Sequence, residues 1–252
     1  MSRSKSRDLL AFCLGIVLIG ALIQGAGALK GDALVFPGVD EILKAFFRLL
    51  GTGKTYALIW TTLQHLIVIM AVSTVLGVGL GVALGLLPFL RKLLQPLMIL
   101  LRSLPMVILI VITMVAADYA LVPVLASSII LVPMIAEAAC EGCLRIDKEL
   151  IDVYRMNANF GVRVLFEVYL PLMAGYLRQA YVNAVGKGVK LAVSTEYLVQ
   201  TKDSLGKAVY TSSYFYEYQD IYAYALVMIL LVLVVSEGPV LIGKAFARFR
   251  RT

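Results

Sequence analysis

The chain is poor in charge and in the residues that do chemistry. Only 15% of its 252 residues are Asp, Glu, Lys or Arg, against 61% hydrophobic residues and a mean hydropathy of +0.90. A soluble domain of this size cannot hide so much apolar surface, which excludes that class. The single histidine, His65, argues against a metal centre and leaves no Ser–His constellation or evident nucleophile for intramembrane catalysis. Cysteine is scarce too. Cys13, Cys140 and Cys143 imply no disulfide framework, and Cys140-x-x-Cys143 has metal spacing but no second pair, so two thiols three apart pack on one helix face. The weak ten-residue alternation of a membrane barrel is also missing.

What is present is apolar run after apolar run. Windows of about 20 nearly uncharged residues, each long enough to cross about 30 Å of hydrocarbon, place six helical spans at 8–29, 60–89, 96–118, 121–143, 172–197 and 221–243. The fold class is therefore an all-α polytopic membrane protein. Its expected parts are an N-terminus and first span over 1–29, an external segment with an amphipathic helix over 30–59, and a core over 60–252. The second span is long enough to tilt or project, and Pro105 interrupts the third.

Orientation follows the Lys and Arg bias of short loops. With the N-terminus inside, Arg3, Lys5, Arg7, Arg91, Lys92, Arg145, Lys148, Arg155, Arg163, Lys244, Arg248, Arg250 and Arg251 are cytoplasmic, against Lys30, Lys44, Arg48, Lys54, Lys202 and Lys207 outside. Both termini are expected in the cytoplasm. The net charge of +7 reflects this bias and attraction to anionic lipid rather than nucleic-acid binding. Met1 to Arg7 resembles the head of a secretion signal, but the chain lacks a convincing small-x-small cleavage site before Lys30 and its apolar stretch is longer than a usual signal core, so the first span is expected to be retained.

GTGKT at 51–55 looks like the end of a phosphate-binding loop. The first glycine of that motif would fall on Arg48, no strand precedes it, and it lies outside the membrane, so it is expected to be a helix stop after the amphipathic stretch Asp40 to Leu50. Charges inside spans are more informative. Glu137 and Glu141 share one face of the fourth span, and Lys187 and Lys190 one face of the fifth. Such groups either pair across helices or line a polar path for an anionic or strongly polar solute. Arg178 and Glu237 lie nearer the cytoplasmic side. Tyr210, Tyr214, Tyr216, Tyr218 and Tyr222 suggest an aromatic belt or part of a docking surface.

The loop over 144–171 is the most telling segment. Asp147 suits a helix N-cap, Glu149 and Asp152 come early and Arg155 late, a break follows at Ala158 to Gly161, and a second short helix ends at Leu170-Pro171. A charged helix-turn-helix held between two spans is a docking surface. Here the chain resembles the inner-membrane permeases of binding-protein-dependent ABC importers. Their signature reads EAA, three residues, Gly, nine residues, then Ile-x-Leu-Pro. Asp152-Val153-Tyr154, Ala158 and Val168-x-Leu170-Pro171 follow that spacing, whereas on the literal Glu137-Ala138-Ala139 the next glycine, Gly142, comes one residue early. Phe36-Pro37-Gly38, Leu101-Arg102-Ser103-Leu104-Pro105, Gly186-Lys187 and Glu196 are similar to segments of the nitrate, sulfonate and taurine branch.

The resemblance implies a type I ABC importer permease fold in the bacterial inner membrane, with a cytoplasmic coupling helix between the fourth and fifth spans. It implies two permease copies, expected to be identical, two separate ATPase subunits, and a periplasmic or lipid-anchored solute-binding protein. ATP and Mg belong to the ATPase, and this chain carries no cofactor or catalytic site. ATPase-coupling residues would be Glu149, Asp152, Val153, Tyr154, Arg155, Ala158, Leu170 and Pro171. Solute contacts would be sought among Lys187, Lys190 and Glu196, and the solute would be a small polar or anionic compound, nitrate-, sulfonate- or taurine-like, or pyrimidine- or vitamin-like. The rival class is an ATP-independent secondary transporter or channel, which needs no docking loop.

Overall fold

A computed structural model of the chain describes residues 37–146 and 164–249 and the isolated positions 25, 35 and 149, with side chains up to residue 236 except that of Leu165. The expected first span, 8–29, lies outside the described residues but for one position, and so does nearly all of the loop between 147 and 163.

Helix α1, Val39–Leu50, forms where the sequence alternates on a helical period. Asp40 and Glu41 occupy its first turn and Arg48 its last, the order its dipole favours. Glu41 accepts from the Gly38 N–H at 3.3 Å. Lys44 donates to Asp40 at 3.1 Å, which lowers the Asp40 carboxyl below its ordinary value. The apolar face turns Ala45 and Leu49 onto Ala223, Tyr224 and Val227 of the last helix, and Arg48 pairs with Asp220 there. Gly51 then ends α1 and Gly53 begins α2, with Thr52 Oγ1 donating to the Leu49 carbonyl at 2.7 Å. GTGKT is thus a helix-to-helix turn, and a helix rather than a strand leads into it.

Helix α2, Gly53–Leu86, runs 34 residues, roughly 50 Å at about 1.5 Å each, so it tilts or projects from a bilayer core of about 30 Å. Two helices stand where one kinked third span, 96–118, was expected. α3, Pro88–Ser103, and α4, Met106–Ala116, meet at 103°. Pro105 offers no N–H and pushes Leu104 into an extended conformation, so the helix stops there and restarts in a new direction. At about 24 and 17 Å, neither arm crosses the hydrocarbon alone.

Helix α5 is Val122–Leu144; α6, Leu170–Val199, is entered through a π-helical turn at Leu165–Tyr169. Pro171 has no N–H for the carbonyl four residues back, which fits the wider turn before it. The short helix α7, Leu205–Tyr214, starts at Ser204, whose hydroxyl accepts from the Lys207 N–H at 3.2 Å, and α8 runs Tyr218–Phe249. All of these elements are helical. Three of them, α2, α5 and the Tyr218–Ser236 part of α8, are long and apolar enough to cross a membrane, or four with α3 and α4 taken as one broken span. α6 has the length, but Arg178, Lys187, Lys190 and Glu196 make it more polar than the others.

Helices α2, α5 and α6 form the core. Gly77, Gly81 and Gly85 recur every fourth residue along α2 and let α5 approach to backbone contact: a Cβ on Gly81 would stand 2.3 Å from the Ala136 carbonyl oxygen. At one end Cys143, Val168, Tyr169 and Met173 gather the roots of the 144–171 loop, the Cys143 thiol facing Met173 Sδ at 3.0 Å. Cys140 and Cys143 are buried and unbridged, packed as small side chains. At the other end α1, α7 and α8 close over Leu58 and Leu66 of α2 and Val189 and Val193 of α6.

Candidate functional site

Membrane helices hide their polar groups from lipid, so the disposition of charge on α5 and α6 is decisive. On α6, Gln179, Asn183 and Lys187 follow at four-residue intervals, with Lys190 three residues further, and all four are exposed in the single chain. On α5, Glu137 and Glu141 are exposed as well. The helices run antiparallel, so the two rows face each other. Between them lies a groove of about 460 Å³, lined by Met134, Glu137, Glu141, Tyr176, Gln179 and Asn183 together with small residues.

The charges in this groove are not equally partnered. Arg102, just before the α3–α4 bend, forms an ion pair with Glu137. Glu141 has no ion pair or hydrogen bond from its side chain among the described residues. Among the described residues Lys187 meets Met134 Sδ, at 3.5 Å, a weak acceptor. Arg145 lies over the Tyr176 ring, 5.5 Å from its centroid, at the groove's loop end. The structure thus brings Lys187 to the rim of a polar groove, with Lys190 one turn beyond.

Glu196 lies apart from the groove. It was expected among solute contacts with Lys187 and Lys190, yet it is 0% exposed and points into the core. Thr62 Oγ1 donates to Oε2 at 2.9 Å, the Gly206 N–H donates to the same oxygen at 3.2 Å, and His65 Nδ1 lies 2.8 Å from Oε1. Where the carboxylate accepts, Nδ1 is the donor of the pair. Thr62 Oγ1 also accepts from the Leu205 N–H at 3.1 Å. The cluster ties α2, α6 and the start of α7 together, and its carboxylate is saturated by protein donors. The lone histidine is a structural partner.

The expected coupling residues fall differently. Asp152, Val153, Tyr154, Arg155 and Ala158 lie outside the described residues, and Glu149 is a helical, exposed position. Leu170 and Pro171 open α6, Leu170 half-buried and Pro171 exposed. Both loop roots sit at one end of the core, since Cys143 of α5 meets Met173 of α6. Glu137-Ala138-Ala139 lies within α5, where Ala139 packs against Gly81 of α2.

Sequence reading missed the Arg102–Glu137 pair, the amides of the groove and the glycine stripe. The signals were present: Gln179, Asn183 and Lys187 repeat every four residues, as do Gly77, Gly81 and Gly85. Tyrosines at the end of α6 and along α7 form a contact chain. Tyr197 and Tyr210 meet edge-on at 5.5 Å, Tyr210 stacks on Tyr214 at 6.5 Å, and Lys207 sits 5.0 Å from the Tyr210 centroid.

The family described as binding-protein-dependent transport system inner membrane component matches residues 73–251. The solved inward-facing MetNI methionine ABC transporter resembles the chain with a TM-score of 0.65 and 20% identity, covering 75% of this chain and 94% of that one. At that identity the likeness is one of fold. No curated protein sequence matches the chain.

Proposed function

The chain belongs to the binding-protein-dependent transport system inner membrane components, the permease subunits of ABC importers, and from that premise we propose that the polar face of α5 and α6 lines its solute path and that the 144–171 loop docks a separate ATPase. The observation that carries the path is the groove itself. Carboxylates, amides and an ammonium at membrane depth cannot face hydrocarbon, so this face opens onto water or onto a second copy of the chain. Two copies would enclose it, two ATPases would bind at the loop end, and a periplasmic or lipid-anchored binding protein would deliver a small polar or anionic solute from outside, the termini lying in the cytoplasm. Closure of the ATPases would move the loop, and the permease halves would rock between inward and outward openings as rigid bodies. ATP and Mg would act only in the partner.

Two results are expected. Purified in mild detergent from its native membrane, the tagged protein brings an ATPase down about one to one, and Asp152→Lys, which reverses charge at the head of the EAA-like signature, loses it. If wild type brings down no ATPase under conditions that preserve other such complexes, the docking assignment fails and the channel or secondary-transporter class reopens. Lys187→Ala combined with Lys190→Ala keeps the ATPase but lowers uptake of the native solute at least tenfold, a loss of about 1.4 kcal/mol in transition-state stabilisation. Normal uptake by the double variant would make the two lysines structural.

A further inference from the structure

Helix α3, Pro88–Ser103, buries no residue in the single chain, and its surface is divided lengthwise. At about 100° per residue, Phe89, Leu93, Leu97 and Leu100 fall in one strip, and all four are exposed. Leu90, Leu94, Met98 and Leu101, half-buried, form the next strip, and the helix touches α2 and α5. Arg91, Lys92, Gln95, Arg102 and Ser103 share the remaining side with Ile99, and the helix carries no acid. Its contacts give its depth. Gly85, three residues before α3 begins, abuts Cys143; Arg91 stands beside Cys140; Arg102 pairs with Glu137. About 16 Å of α3 between the two arginines therefore corresponds to only about 5 Å of α5. Helix α4, by contrast, runs back along α5, from Met106 at the Leu131 and Ile135 cluster to Ile110 beside Val122 and Ala126. Bent 103° from α4, α3 lies across α5 rather than along it. Cys140 and Glu137 stand four and seven residues inside the α5 end at Leu144, roughly 6 and 10 Å at about 1.5 Å each. Amphipathic helices that lie in a membrane interface sit about 5–10 Å into the boundary of headgroups and acyl chains.

We propose that α3 is an interfacial anchor that docks on lipid. It lies flat in the leaflet at the loop end, with Phe89, Leu93, Leu97 and Leu100 among acyl chains and Lys92 and Gln95 among anionic headgroups. A bilayer edge offers an apolar layer and a layer of phosphate side by side, and the two strips complement both. A symmetric contact with α3 of a second copy would instead bring cations against cations. That this leaflet is the cytoplasmic one rests on the permease reading; the flat placement does not.

The test uses the full chain with Trp60→Phe, which removes its one tryptophan, and adds a single new one as Phe89→Trp, Leu93→Trp, Leu97→Trp or Leu100→Trp. Each protein is reconstituted in phosphatidylcholine vesicles, and its fluorescence is quenched with phosphatidylcholines brominated at shallow or deep acyl positions. All four tryptophans are expected to be quenched best by the shallow bromines and to share one depth. A helix crossing the membrane would instead spread positions 89 and 100 over about 16 Å. Brominated phosphatidylglycerol is expected to quench Leu93→Trp more than brominated phosphatidylcholine at equal content, and Lys92→Gln to shrink that excess. The proposal is overturned if the depths step along the helix, if they coincide at the bilayer centre, or if no quenching occurs, which means that protein covers the strip as a second copy would. It is equally overturned if the two headgroups quench alike or if Lys92→Gln leaves the excess whole. Depth is measured from the nearer surface and so holds whichever side the loop faces; failure of the importer reading shows separately, in the ATPase pull-down.

Discussion

Gly81→Leu is expected to leave no folded permease in a detergent extract, and Gly81→Ala to lower its thermal midpoint clearly, whereas Gly79→Ala should leave the midpoint unchanged or raise it. Both glycines lie in α2 and differ in what faces them. A Cβ on Gly79 meets nothing within 4 Å; a Cβ on Gly81 meets the Ala136 carbonyl oxygen at 2.3 Å, the Ala139 Cβ at 2.6 Å and the Ala136 Cα at 2.9 Å. Alanine in place of glycine within a helix is worth about 1 kcal/mol in water, so propensity alone favours both substitutions. At Gly81 the opposing term wins. Overpacking costs about 1–3 kcal/mol even where side chains can give, and here the obstacle is backbone, which has no rotamer to change. The helices would have to part, and the stripe includes Gly77 against Ile135 and Gly85 against Cys143, so separation at one point loosens its neighbours. In lipid this matters more than in water, because tight van der Waals contact is a main source of attraction between apolar helices. Midpoints of purified wild type and the two alanine variants check it; a Gly81→Ala protein that melts at or above wild type refutes the close approach.

That stripe shows where sequence reading reaches and where it stops. The window 60–89 reads as a span because it is apolar all round, but an all-round apolar helix has no preferred face, so its partner is not written in its periodicity. Pro105 marks a break by local sterics, since proline fixes its own φ and restricts the residue before it. The 103° between the arms is set at a distance instead: α4 buries Leu109, Ile110 and Thr113, packing with Val122 and Ala126 of α5, while α3 buries no residue in the single chain. Helix α1 was legible almost to the residue because its pattern, its acidic first turn and Gly51 agree. In the groove, Glu137, Glu141 and Lys187 stood out as rare intramembrane charges. Which of them are already paired depends on Arg102, 35 residues before Glu137 and across the break. Glu196 was legible as a charge but not as a buried one, because its partners Thr62 and His65 come 134 and 131 residues earlier.

Glu196→Ala is expected to be the most damaging polar substitution in the described core, and Glu196→Gln to be tolerated far better. The carboxylate satisfies three groups from two other elements: the Thr62 hydroxyl, the His65 ring and the Gly206 N–H. Alanine removes all three acceptor contacts within a fully buried site, and each buried donor left unsatisfied costs about 1–3 kcal/mol. Water cannot easily replace them there. Gly206 comes so near that a Cβ on it would lie 2.4 Å from the Glu196 Cβ and 2.5 Å from the Val193 oxygen, so its N–H is aimed at Oε2 by close packing. Glutamine keeps an oxygen for Thr62 and Gly206 and presents an NH₂ to the histidine, which then accepts at Nδ1 as the other tautomer. What glutamine loses is the charge assistance, which makes such bonds roughly twice as strong as neutral ones. The order of thermal midpoints should therefore be wild type, then Glu196→Gln, then Glu196→Ala, with uptake in the glutamine variant falling no further than its folded yield. The structural assignment is overturned if Glu196→Gln folds like wild type yet abolishes uptake, because a carboxylate whose charge matters to transport and not to folding would be in contact with solute, as the sequence reading first expected.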